Sequence, residues 1–260
     1  MTTKNLVLTC IVSLFCINLS YAKWLQADPK AEKYYATSPY AYCLDNPVKF
    51  IDPNGDTVRI VGSERNEAFR QLQNRLEGQL SLTINGNGNI IAMPIYGVKQ
   101  TSNSKLAMKI FNSTDIIINV IAENSKITST GNLYVGGAFM GNIINRNGSI
   151  TASQEVNPLV LGRMNNAYGK PGQDMLHEVT EAYQGALIAK RAGVASPMSN
   201  QANSIYQQAH DAAIPQSGIV RVTYYNNAGK IVQTLGASVV KATYSVFPKK
   251  QKPVIIMTFP

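Results

Sequence analysis

Residues 174–183 read DMLHEVTEAY, and the fold turns on how that stretch is read. Leu176, Val179, Tyr183 and Leu187 recur at helical spacing, which predicts a helix from Asp174 to Arg191 with one apolar face for docking on a sheet. Gly193 follows as a stop. His177 and Glu181 are four residues apart and project together from that helix, off its apolar face. The spacing lets two side chains grip one metal ion. Glu178 lies about 100° further round, placed to take a proton from a water at the metal without being a ligand itself.

An open catalytic site needs a third protein ligand. The only other histidine is His210. Its surroundings predict a second helix from Ser199 to Ala213, stopped by Pro215, with Ala202, Ile205, Ala209 and Ala213 as its packing stripe and His210 on the edge. Ala182, Gly185, Ala186 and Ala189 are small enough for that helix to approach the first closely. The expected site is therefore Zn2+ on His177, Glu181 and His210, with Glu178 as general base. Asp174 and Asp211 stand as alternative ligands or as partners that orient a histidine. Tyr206, one turn before His210, either packs in the core or stabilises an oxyanion; Tyr183 reads as core. A His/Glu pair at this spacing is also an ordinary helix-stabilising pair of about 0.2–0.5 kcal/mol.

Outside these helices the pattern is that of an α+β fold with a mixed sheet. Short strands are expected at Thr57–Val61, Asp115–Ala122, Leu133–Asn145 and Ser149–Val156. A helix capped by Ser63 carries Phe69, Leu72 and Leu76 on one face and ends at Gly78. Gln79–Ile84 and Asn89–Met93 flank Asn85-Gly86-Asn87-Gly88, a hairpin signal rather than a phosphate loop. A closing hairpin (Gly218–Tyr225 and Lys230–Leu235) precedes strands at Ser238–Phe247 and Val254–Phe259.

Composition narrows the function. The chain has 260 residues, 45% of them hydrophobic and 15% charged, enough for one well-packed domain with appendages. Its net charge is +9 and its pI about 9.4, but the basic residues are scattered. Lys249, Lys250 and Lys252 form the one tight group, which reads as a solvated edge. There is no specific nucleic-acid signal, and a basic nuclease lacks a phosphate-facing cluster. Ser, Thr and Cys43 show no base partner at motif spacing, so nucleophilic catalysis has no support. Lys4, the apolar run Leu6–Leu19 and Ser20-Tyr21-Ala22 read as a signal peptide, residues 1–22. The run is shorter than the roughly 20 residues of a membrane span. Cleavage before Lys23 implies export to the periplasm, the cell surface or the medium, with no membrane span left. Cys10 and Cys16 leave with it, so Cys43 has no internal disulfide partner.

Residues 24–55 read WLQADPKAEKYYATSPYAYCLDNPVKFIDPNG. This stretch resembles the end of the Rhs repeat-associated core, the segment before the variable tip of Rhs/YD-repeat proteins. Pro47, Asp52, Pro53 and Gly55 match the family's PxxxxDPxG boundary motif. The resemblance implies a bacterial, exported Rhs tip without its repeat shell, divided as 23–55 (core remnant) and 56–260 (toxin or effector domain). It also implies a cognate immunity protein. The HExxE stretch resembles the HExxH helix of zincin metallopeptidases, with Glu for the second His and a later His as third ligand. That implies a zincin-like fold, a peptide or protein substrate, and Leu133–Asn145 as the edge strand offered to it. The reading from another class is a noncatalytic secreted Rhs remnant, serving as a surface or interaction module.

Overall fold

Strict alternation builds the first sheet. In β4 (Ile116–Ala122), Ile116, Ile118, Val120 and Ala122 are buried and the residues between them half-buried, as in a strand packed on one face. β1 (Val58–Val61) and β6 (Ile150–Val156) run parallel to it on either side, with Ile118 opposite Val58 and Ala152. β5 (Gly137–Ile144) pairs antiparallel with β6, giving the mixed order β1-β4-β6-β5. The computed structural model describes residues 57–260 apart from Thr234 and Ala237. The expected signal peptide (1–22), the Rhs-like arm (23–55) and Cys43 lie outside the described residues.

Helices cover this sheet. α1 (Arg65–Leu76) packs on β1 and β4, and α4 (Gln173–Ala192) packs on β4, β5 and β6 and against α1. α4 is the central element. Every residue from Gln173 to Tyr183 is buried, so this part of the helix has no solvated face. Met175, Leu176, Val179, Ala182 and Tyr183 join Ile60, Leu72, Ile118 and Ala152 in one hydrophobic core. α2 (Ser102–Phe111) and α3 (Pro158–Tyr168) flank it, and α5 (Tyr206–Ala212) lies against α4. β2 (Leu80–Ile84) and β3 (Ile90–Pro94) form the expected hairpin. A second, antiparallel sheet, β10-β9-β7-β8, holds β7 (Val220–Asn226), β8 (Ile231–Val232), β9 (Val239–Val246) and β10 (Val254–Phe259). It is tied to α3 by Arg163 Nη1, which donates to the Ile256 carbonyl over 2.8 Å. The fold is α+β, and no described helix is long and apolar enough to cross a membrane.

Four local expectations change. α2 and α3 are helices the hydrophobic pattern did not bring out, although both carry side-chain caps: Thr101 Oγ1 accepts from Ser104 N, and Asn157 Oδ1 accepts from Leu159 N and Val160 N. Ser63 does not cap α1; its hydroxyl donates to Glu123 Oε2 at 2.5 Å, and the helix begins after Glu64. The second ligand helix is shorter than expected, because Asn203 takes a left-handed φ of 63° that interrupts a right-handed helix. The strand expected from Leu133 begins only at Gly137; before it, Tyr134 N donates to Lys126 O in a local loop.

Ile118, fully buried in the middle strand, tests this core. Ile118→Ala is expected to cost about 2–5 kcal/mol in urea unfolding, against less than about 0.5 kcal/mol for Val222→Ala on the exposed part of β7. Equal losses would contradict the packing described here.

Candidate metal centre

The first turns of α4 carry four ionisable side chains into the interior, Asp174 at 0% exposure and His177, Glu178 and Glu181 at 1%, 3% and 2%. Each charge needs a partner there. His177 Nε2 lies 3.4 Å from Glu181 Oε2 and 3.2 Å from His210 Nδ1, and His210 Nδ1 lies 2.7 Å from Glu181 Oε2. The three expected ligands therefore converge, with one donor atom from each within 4.8 Å of the others. His210 is the only one with appreciable access to solvent.

The donor set fits a divalent cation. Zinc–nitrogen and zinc–oxygen bonds of about 2.0–2.2 Å in a tetrahedron put neighbouring ligand atoms roughly 3.3–3.5 Å apart. Two of the three separations match that edge; the His210–Glu181 pair has to open by roughly half an ångström. The surroundings suit the same purpose. His177 Nδ1 donates to the Ile214 carbonyl at 2.5 Å, which leaves Nε2 for the cluster. Gln154, fully buried on β6, donates from Nε2 to Glu181 Oε1 at 3.0 Å and to Glu178 Oε2 at 2.5 Å. One amide thus holds a ligand carboxylate and the expected base side by side. Gln154 Oε1 is buried without a protein partner. Glu178 also needs a glycine opposite it: a Cβ at Gly137 would overlap the carboxylate.

A strap fixes the third ligand. Between α5 and β7 the chain runs back over α4: Ile214 N donates to Thr180 Oγ1 at 3.1 Å, and Gln173 Nε2 donates to Pro215 O. Ser217 donates through N and Oγ to the Asp174 carboxylate at 2.6 and 2.5 Å. On the other side of α5, Ser196 N donates to Asn142 Oδ1 and Asn142 Nδ2 to the Gly185 carbonyl. Gly185 also admits the Phe139 ring, which a Cβ there would meet. Asp174 is thus spent on the strap, and Asp211 is exposed and accepts from Gln207; neither enters the cluster. Tyr183 is core, as expected. Tyr206 is half-buried, with its ring 5.5 Å from that of His210. Burial and the Glu181 and Glu178 charges push its phenol up to about 12, so it stays a neutral donor.

Gln154, the Ile214 carbonyl, Thr180, Ser217 and Gly137 were not singled out by the motif. Gln154 had a readable signal: it takes the place of an apolar residue in the alternation Ile150, Ala152, Gln154, Val156. A groove of about 260 Å3 borders the site, with Gly137, Ala138 and Tyr206 among its walls. β5 is the expected edge strand, but its outer side is partly occupied: Ser199 N donates to Phe139 O and Asn142 N to Ser196 O, both over 3.0 Å. No protein-family model, curated protein or solved structure matches the chain, so the side-chain geometry carries the functional argument.

Protonation gives two expected outcomes. Burial, reinforced by the Glu181 charge, lifts Glu178 to about 8. Burial works against a charged His177, but its hydrogen bond to Glu181 and the Glu178 charge hold it at about 9. Glu181, although burial opposes its ionisation, is brought below the usual range by hydrogen bonds from His177 and His210. Without metal, the native state keeps protons that the unfolded chain loses, on Glu178 above pH about 4.5 and on His177 above about 6.5. Stability of the metal-free protein should therefore fall as pH rises from 5 to 9, and Glu178→Gln should flatten the part below pH 8. A pH-independent thermal midpoint would contradict this. Zinc must displace the His177 proton, so its affinity should rise over the same range. Ser217→Ala, which touches no ligand, should weaken zinc binding about 10-fold by loosening the strap, read by competition with a chelator.

Proposed function

We propose that this chain is an exported Rhs-type effector tip whose 56–260 region is a zincin-like, zinc-dependent peptide hydrolase. One observation carries the reading: His177, Glu181 and His210 bring one nitrogen or oxygen each to a common point on a buried helix, with Glu178 beside them. Zinc held there supplies a Lewis acid that polarises a scissile carbonyl and acidifies a water.

The rest is the work of the chain's own groups. Glu178 is held by Gln154 next to the ligand carboxylate, positioned to accept the proton of the attacking water and return it to the leaving amine. A cation at the cluster favours the ionised form of Glu178, the form a base requires. Tyr206, neutral and with its ring 5.5 Å from that of His210, is the candidate donor to a developing oxyanion. The mixed sheet with its antiparallel edge strand and the ligand-bearing helix packed beneath it support the zincin-like reading. The export signal rests on the pattern of residues 1–22, and a cognate immunity protein as partner on the sequence resemblance.

A second reading has its own observation. His210, Glu181 and His177 satisfy one another directly, and the 2.7 Å contact is an ordinary charge-assisted hydrogen bond. A closed polar network of this kind suits a noncatalytic secreted module.

Metal analysis separates the two. The purified protein, supplied with zinc at pH 7.5 and dialysed, is expected to retain about one zinc per chain. His177→Ala and His210→Ala should lose it. Glu178→Gln should keep the metal and lose peptide hydrolysis by at least about 100-fold. Absence of bound zinc in the wild-type protein would exclude the hydrolase and favour the module.

A further inference from the structure

The groove beside the cluster is walled on one side by Met198 and Ser199. Gly137, against the Glu178 carboxylate, and Tyr206, beside His210, both belong to its wall. Two residues beyond Gly137, the outer edge of β5 is taken: Phe139 O accepts from Ser199 N, and Asn142 N donates to Ser196 O. A chain lying along β5 therefore meets the segment 196–199 within about 7 Å of the base, the rise of two strand residues. In the other direction the wall includes Leu133, which is 40% exposed.

Its chemistry is uniform. Although the chain carries a net charge of +9, no Asp, Glu, Lys, Arg or His lines the groove. Leu133, Tyr134, Met140 and Met198 give it apolar, partly adaptable walls. Polar groups on its rim are hydroxyls and amides. A charged side chain entering it would lose water and find no charged partner on the walls themselves.

From this we infer that the site reads one or two consecutive uncharged residues of its substrate, seated between β5 and Met198 on one side of the reacting bond. The inference rests on the hydrolase reading and adds its substrate class: peptides selected by a short neutral segment, not by basic or acidic residues.

The test uses the zinc-loaded full chain and a peptide library of mixed sequence, with cleavage sites mapped by mass spectrometry. Asp, Glu, Lys and Arg should be disfavoured at least about tenfold at one or two positions on a single side of the cut. Met140→Glu should admit Lys and Arg at the selective position. Acceptance of charged residues there, or an unchanged profile in Met140→Glu, would overturn the inference while leaving the hydrolase reading intact. The Glu178→Gln protein, zinc-loaded, is titrated calorimetrically with the same library. Retention of neutral peptides without cleavage by the wild-type chain would support the groove and sink the hydrolase. Zinc binding with neither cleavage nor retention would overturn both.

Discussion

The carboxylate of Glu181 is the group around which the structure is arranged. An ion of that size removed from water costs several kcal/mol unless the interior returns equivalent contacts. Here they come from three directions: His177 one turn earlier on α4, His210 from α5 and Gln154 from β6. None of them works alone, because the carboxylate has two oxygens and each must be met. Burial of Glu181 thus demands that α4 lie flat on β6, that β5 open a space at Gly137 for the neighbouring Glu178, and that α5 return to within hydrogen-bond distance. With zinc the requirement remains, and the cation takes over part of the compensation.

How much of this could be read beforehand depended on the range of the interaction. The strands β4 and β6 and the helix α4 were legible because their periods are local. The convergence of His177, Glu181 and His210 was legible because only two histidines exist and one stands four residues from a glutamate. The strap was not: Ser217 reaches Asp174 and Ile214 reaches Thr180 across a gap in sequence that no pattern spans. The extent of the second ligand helix was overestimated, since its apolar stripe ran through Asn203, where the backbone conformation breaks it. In α2 and α3 the caps Thr101 and Asn157 were present in the sequence, but the buried faces behind them mix polar with apolar residues, Ser104 with Ala107 and Ile110 in the one and Asn165 with Leu161 and Met164 in the other. The arm at 23–55 was legible as a family resemblance alone and lies outside the described residues.

Two parts of the site share one segment. Residues 196–199 anchor the approach to α5 through Ser196 and cover β5 through Ser199. The position of His210 and the length of open strand beside it are therefore set together. A change that loosened this segment would alter the metal ligands and the groove at once, whereas a change in the strap at Ser217 would act on the ligands alone.

The same covering has a consequence for the protein as a solute. Unpaired strand edges are templates for neighbouring chains. In the first sheet both edges are guarded: β5 by residues 196–199, and β1 by the β2–β3 hairpin, whose Gly88 carbonyl accepts from Ile60 N. The second sheet is different. β8 is only two residues long, but β10 runs for six with no described strand on its outer side, and Ile255 on it is 57% exposed. Exposed Lys249, Lys250 and Lys252 lie just ahead of that strand, so mutual repulsion of these charges opposes edge-to-edge stacking. The basic cluster that reads as a solvated edge in the sequence thus acts as a colloidal guard, one that added salt would weaken.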